Sequence, residues 1–296
     1  LIMKNIIIVT GGCGFVGRNL IDYLILKTSF KIISLDNYSS GSKLNHIKNK
    51  RVTYIKGHTK DISKFLEKFK SKINCIFHFA EFSRIYQSFI QMNKCIESNS
   101  IGSHAVFDFC LKNNIKLIYS ATSASLGNKG KDKDLSPYAF TKAKNLELLS
   151  NLKKWFNFKY EVIFFYNVYG PYQIRNGNMA TVMGIFEEHY LNNKPLPVVR
   201  PGTQSRRFTH IYDTIKICYK AWKNNKCRFY SISNKESYTI LQIAKLFKSK
   251  VKLMPFRKGE RYASALTNLA LSKKIYRNYG KISLRNYIEN LIKLRK

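Results

Sequence analysis

The segment IIIVTGGCGFVG, residues 6–17, runs from β-branched apolar residues into three glycines spaced three apart. The apolar run reads as a strand buried on both faces, and the residues after it read as the start of a helix. Each glycine has a physical task at such a junction. Gly11 makes the tight turn, Gly14 lets the backbone approach a pyrophosphate with no Cβ in the way, and Gly17 lets the helix lie close on the strand. The first helical residues, Phe15 and Val16, present free N–H groups and the positive end of the helix dipole to the phosphates. Cys13 is a small neutral occupant of the turn.

Spacing alone does not separate a nucleotide site from a flexible loop; an acidic partner does. Asp36 ends a second strand pattern, nineteen residues past Gly17, with Asn37 beside it. A carboxylate there accepts hydrogen bonds from ribose hydroxyls and repels a 2′-phosphate, so the pattern predicts NAD rather than NADP.

Working outward, strand patterns over residues 5–10, 31–36, 52–56, 75–80, 116–120 and 162–166 alternate with helical ones over 17–27, 63–68, 99–113 and 139–156. That alternation predicts an α/β fold: a Rossmann-type doubly wound parallel sheet with a smaller, mostly irregular α/β C-terminal substrate domain. Pro195, Pro197, Pro201 and Gly202 mark extended loops in the second half. We therefore expect residues 1–170 to bind NAD, 206–233 to return to that domain, and 171–296 to hold the substrate. With 296 residues and 45% hydrophobic content the chain buries a substantial core.

The apolar runs are too short to span a bilayer and no leader pattern opens the sequence, so a cytoplasmic, membrane-free protein is expected. Six cysteines without a CxxC pair argue for reduced thiols, and against a disulfide framework or a metal site. The net charge of +35 invites a nucleic-acid reading. Its lysines, however, are spread along the chain without aromatic interleaving, which describes a solvated basic surface rather than a nucleic-acid module.

TGGCGFVG together with DNYSSG, residues 36–41, resembles the extended short-chain dehydrogenase/reductase family, the group of nucleotide-sugar epimerases and dehydratases. Tyr138 and Lys142, four apart in SPYAFTK, fit a catalytic role on one helix face. One positive charge about 4 Å from the phenol, at intermediate dielectric, is worth on the order of 4 kcal/mol, or about three pKa units. Lys142, helped by an oxidised nicotinamide, is thus expected to hold Tyr138 partly as phenolate. In YSATSASLG, residues 119–127, the resemblance makes Thr122 the catalytic hydroxyl and Ser123 a second polar candidate.

The resemblance extends over nearly the whole chain. FHFAEFSRIYQSF, residues 77–89, matches the segment that lines the cofactor, including Phe79, Ala80 and Ser83. The helix with Asn99 matches as well. YNVYGPYQ, residues 166–173, implies Tyr166 at the cofactor and Asn167 at the sugar-nucleotide diphosphate. RRFTHIYD implies a diphosphate grip by Arg206, and FRKGER implies nucleotide contacts by Arg257 and Glu260. The bidentate guanidinium fork suits such phosphate contacts. The segment after Met179 is expected to supply a helix and a loop over the base, with PLPVV, residues 195–199, as a lid. A homodimer through the helices at 99–113 and 139–156 is also implied.

Three positions depart from the family pattern. His58, beside Thr59, stands where relatives carry an adenine-binding Asp, with Asp61 as a substitute. Glu81 replaces a small residue; a structural reading pairs it with Arg84 or a nearby hydroxyl, and the alternative is that it tunes the site. SLG replaces the usual Val-Tyr-Gly after the catalytic loop. The resemblance implies a UDP-hexose 4-epimerase: dehydratases carry Asp-Glu directly after the catalytic Thr, and Ser123 and Ala124 occupy those places here. A dehydratase or reductase of the same family, and a non-catalytic NAD- or RNA-binding protein, are the alternatives.

Overall fold

The structure is a computed structural model that describes residues 4–126, 134–259 and 275–295. Its strands are β1 (Ile6–Thr10), β2 (Lys31–Asp36), β3 (Val52–Lys56), β4 (Ile73–His78), β5 (Lys116–Thr122), β6 (Tyr160–Phe165), β7 (Val168–Tyr169), β8 (Leu196–Val199), β9 (Ser205–Arg207), β10 (Thr209–His210), β11 (Phe229–Ser233), β12 (Ser237–Thr239), β13 (Val251–Met254) and β14 (Ile275–Tyr279). Its helices are α1 (Phe15–Lys27), α2 (Ile62–Leu66), α3 (Ile85–Ile90), α4 (Met92–Ile96), α5 (Ser103–Lys112), α6 (Pro137–Phe156), α7 (Val182–Leu191), α8 (Ile211–Lys223), α9 (Ile240–Leu246) and α10 (Leu284–Arg295).

Eight strands form one parallel sheet in the order β14-β11-β6-β5-β4-β1-β2-β3. The order reverses beside β1, which is where such sheets open a ligand crevice. Alternate residues of each strand feed opposite faces. Ile8, Leu35, Ile76 and Leu117 pack with Val106 and Phe107 of α5 and with Leu149 of α6. Ile7, Val9, Phe77 and Ile118 pack with Leu20 and Leu24 of α1 and with Ile215 and Trp222 of α8. Burial on both faces explains why these strands read as continuous apolar runs.

Beyond the sheet, Met183 and Phe186 of α7, Val198 of β8, Ile243 of α9 and Ile288 of α10 share a separate core. PLPVV forms a strand rather than a free loop: β8 pairs with β13, buries Leu196 and Val198, and lines the cleft with Pro197 and Val199.

The main sheet also takes in β14, which the sequence reading leaves wholly in the smaller region. Two buried carboxylates fasten that end of the sheet. Glu161 of β6 accepts backbone N–H bonds from Lys226, Cys227 and Arg228, and lies 3.7 Å from the Lys116 ammonium. Asp213 of α8 accepts from the amides of Lys281 and Ile282, just past β14.

Among the boundaries that differ from the sequence patterns, two have a visible cause. β4 ends at His78 because the hydroxyl of Thr10 accepts the amides of Phe79 and Ala80, at 3.1 and 3.2 Å, and turns the chain out of the sheet. The helix expected over residues 99–113 begins as a π-helical turn, Glu97–Gly102, before α5 continues it. Such insertions recur at functional sites.

Candidate active site

The glycine turn is built as its spacing requires. Gly11 has a φ of 72°, and a Cβ there would lie 2.9 Å from the amide of Ala80. At Gly17 a Cβ would lie 2.2 Å from the carbonyl oxygen of Gly11. At Gly14 it would meet only that same oxygen, at 3.3 Å, so the backbone there lies open toward the cleft. Gly14 caps α1 without a side-chain hydrogen bond, leaving the helix start for an anion.

Asp36 is buried at the end of β2, and its oxygens accept the amides of Cys13 (2.9 Å) and Tyr38 (2.8 Å). Burial raises its pKa, with these N–H groups opposing. The carboxylate thus pins the turn from behind while lining the cleft. Cys13 is fully buried against Ser34.

One cleft of about 870 Å³ runs from this turn to the smaller region. Its walls include Gly11, Gly14, Phe15, Val16, Gly17, Asp36, Asn37, His58, Thr59, Phe79, Ala80 and Ser83 at one end. Thr122, Ser123, Tyr138 and Lys142 lie along it, with Asn167, Arg206 and Arg257 from the far side. An extended dinucleotide fits this set: a cradle at Gly14 that a Cβ would begin to fill, a free helix start, and a carboxylate one strand away. Among the described residues no cluster of metal ligands occurs, and no helix is long and apolar enough to cross a membrane.

Two expected cofactor contacts lie elsewhere. Asn99 is fully buried and braces the chain after β4: its side chain accepts from the Phe82 amide at 2.6 Å and donates to Phe82 O and Thr141 Oγ1. Tyr166 is buried beneath the cleft and is not part of its lining. Glu260 falls outside the described residues.

At the adenine end, His58 Nδ1 accepts the amide of Lys60 at 3.1 Å and so caps a short turn. Burial lowers the His58 pKa, which favours the neutral ring. Asp61, the expected substitute, is not among the lining residues; Glu97 is, paired with Lys60 at 2.5 Å.

At the catalytic end, Ser136 caps α6 by accepting the Ala139 amide and Pro137 occupies its first turn, so Tyr138 and Lys142 both face the sheet. Thr122 ends β5 and accepts the Ala124 amide at 3.2 Å, and its hydroxyl is near enough to Tyr138 to lower the pKa of the phenol.

The protein's own side chains do not by themselves hold Tyr138 as phenolate. Lys142 is ion-paired with Glu81 and donates to Ser120 O, so its charge is compensated. The Tyr138 pKa is not lowered but pushed up to about 12, chiefly by burial; Thr122 and Arg84 pull it down, and the Glu81 charge pushes it up. Burial likewise lowers the Lys142 pKa, with Glu81 opposing.

Glu81 has hydroxyl partners, as its structural reading holds, but its cation is Lys142 rather than Arg84. Ser103 Oγ and Tyr119 OH donate to Glu81 Oε1 at 2.8 and 2.9 Å, and Asn145 Nδ2 donates at 3.2 Å. Arg84 instead donates to the Met179 carbonyl through Nε (2.9 Å) and Nη2 (2.6 Å), tying the loop after β4 to the far wall. Asn145 follows Lys142 by three positions, and that helical spacing was the one local sign of this network.

His78 joins the network to the glycine turn, bonding Thr10 Oγ1 at 2.8 Å and Ser103 Oγ at 3.0 Å. Burial drops its pKa to about 4. The unfolded chain therefore binds the extra proton first, so stability falls as pH drops from about 6.5 toward 4. By pH 5 the loss from His78 alone is about 2 kcal/mol. Guanidinium unfolding at pH 7 and pH 5 checks this: His78→Asn removes about that much of the pH dependence, and an unchanged difference contradicts it.

Known proteins are similar to this chain. A Bacillus subtilis protein described as an uncharacterized UDP-glucose epimerase is 30% identical over 229 residues, 71% of this chain and 70% of its own. A Methanocaldococcus jannaschii protein described as a putative UDP-glucose 4-epimerase is 27% identical over 231 residues, 74% of each chain. The structure of Thermotoga maritima UDP-glucose 4-epimerase with UDP-glucose superposes with a TM-score of 0.86 at 25% identity, over 97% of both chains. The fold is equally that of Streptomyces venezuelae dTDP-glucose 4,6-dehydratase with NAD bound, at a TM-score of 0.85, 19% identity and 97% and 96% coverage. The sequence model of the NAD dependent epimerase/dehydratase family matches residues 7–233, so the chain belongs to that family and its cofactor is NAD.

Proposed function

We propose that the protein is a nucleotide-sugar 4-epimerase of the UDP-hexose type. The observation that carries this reading is the state of the carboxylates in the cleft. Water elimination across the sugar needs an acid and a base beside the oxidised carbon, in addition to the tyrosine. Among the described lining residues the carboxylates are Asp36, Glu81 and Glu97, and each is already engaged: by backbone amides, by Lys142, and by Lys60. Ser123 and Ala124 follow Thr122. What remains is the Thr122–Tyr138 pair, and epimerisation at C4 asks for no more.

In this reading Thr122 Oγ1 orients the sugar C4 hydroxyl and Tyr138 takes its proton, then returns it to the epimer. NAD, held by the glycine turn and Asp36, would supply the hydride acceptor and donor for C4. Arg206 and Asn167 hold the diphosphate, the planar fork of Arg206 matching two phosphate oxygens. Arg257 covers the nucleotide end.

The test is a panel of UDP-sugars followed by proton NMR with the NAD-loaded protein. UDP-glucose and UDP-galactose, or their N-acetyl or uronic analogues, should equilibrate with no net change in nicotinamide absorbance. Loss of a C6 oxygen would favour the dehydratase, net consumption of reduced cofactor would favour a reductase, and inertness toward every sugar would overturn the proposal.

A further inference from the structure

Strand order fixes which end of the cleft takes the base of the cofactor. The glycine turn follows β1 and Asp36 closes β2, so pyrophosphate and ribose belong to successive strand ends. β3 is the next strand outward: Lys56 stands opposite Asp36, and the Gly57 amide donates to Asp36 O at 3.0 Å. The base of an extended dinucleotide therefore reaches the residues just past β3. These are His58 and Thr59, which line the cleft together with Gln91, Lys94 and Glu97.

The hydrogen-bond polarity of His58 is set by its own turn. Its Nδ1 accepts the Lys60 amide at 3.1 Å, and an imidazole nitrogen that accepts carries no proton. Burial, which lowers the pKa of the ring, favours the same neutral form. Nε2 therefore bears the hydrogen, and among the described residues no protein group bonds it. The carboxylates at this end are engaged: Asp36 accepts the amides of Cys13 and Tyr38, and Glu97 pairs with Lys60.

From this geometry we propose that His58 reads the base of the cofactor as a donor: Nε2–H bonds an acceptor on the purine edge, and the 6-amino group of adenine goes unread. Adenine offers such an acceptor at a ring nitrogen, and hypoxanthine offers one at its 6-oxo group. A carboxylate at the same position does the reverse. It accepts from the amine and meets the lone pairs of a 6-oxo group.

The experiment is a competition on the NAD-loaded protein. It is equilibrated with a large equimolar excess of NAD and nicotinamide hypoxanthine dinucleotide, and the nucleotides it retains are released by denaturation and quantified. Wild type should retain the two within about threefold of each other, since each gives His58 one hydrogen bond. His58→Asp should favour NAD by about tenfold, because the analogue leaves a carboxylate facing an oxygen. His58→Asn still caps the turn through Oδ1 and still presents N–H groups, so it should stay within threefold. Asp and Asn are both good caps, so the turn survives either change.

A wild-type preference for NAD beyond threefold would overturn the proposal, because an acceptor would then be reading the amine. So would a His58→Asp variant that still retains the two within threefold, since His58 would then lie away from the base. A preference for NAD in His58→Asn equal to that of His58→Asp would overturn it as well, because donor polarity would not be the cause. No sugar enters the measurement, so its outcome and that of the UDP-sugar panel are separate results.

Discussion

Tyr138→Phe is expected to lower sugar-nucleotide turnover by about 10²- to 10⁴-fold while leaving the protein folded and loaded with NAD. The substitution removes only a hydroxyl. The ring stays packed against Phe82, Ala124 and Ala139, and the helix start keeps the bond from the Tyr138 amide to Ser88 Oγ, at 3.2 Å. What is lost is the hydroxyl proposed above to accept the substrate proton. NMR turnover measures the first effect; NAD released on denaturation, relative to wild type, measures the second. Activity within twofold of wild type would remove Tyr138 as the base.

Gly17→Ala is the second large effect, and it acts through the backbone. The added Cβ would stand 2.2 Å from Gly11 O and 2.6 Å from Gly12 Cα, both main-chain atoms with no rotamer to yield. Helix α1 must lift off β1, so overpacking costs about 1–3 kcal/mol and the melting temperature falls by several degrees. The displaced helix start also weakens NAD binding by at least about tenfold, or 1.4 kcal/mol. Gly14→Ala is the informative companion. Its Cβ meets only Gly11 O at 3.3 Å and otherwise faces the cleft, so it should weaken NAD binding while stability changes little. Calorimetric titration with NAD and thermal melting separate the two outcomes; equal melting temperatures for the two variants would contradict the packing argument.

The parts legible in the sequence are those carried by local spacing. Gly11, Gly14 and Gly17 sit within one turn, Asp36 ends the next strand, and Tyr138 and Lys142 share a helix face; the structure gathers all of them along one cleft. The electrostatics are not local. Glu81 meets its partners Ser103, Tyr119 and Asn145 across 22, 38 and 64 residues, and no spacing rule connects them. Reasoning from Lys142 alone therefore predicts an activated phenolate, whereas burial of Tyr138 raises its pKa and Glu81 takes up the Lys142 charge. Asn99 lies off the cleft lining for a related reason. A buried amide near a cofactor segment resembles a ligand contact, but its hydrogen bonds close on Phe82 and Thr141. Strand β14 pairs with β11 from a distant part of the chain, so only topology reveals its place.

The central position of β6 bears on how the chain tolerates dissection. β6 pairs with β5 on one side and β11 on the other, and all but one of its residues, YEVIFF, are buried. A fragment ending near residue 170 would keep the glycine turn but bare the β11 side of that strand, an apolar edge with unpaired amides and carbonyls and an open template for self-association. Glu161 would lose the amides of residues 226–228 as well, stranding a carboxylate beside Lys116. Recombinant fragments intended to isolate the dinucleotide half must therefore carry the chain through β11 to stay free of aggregation.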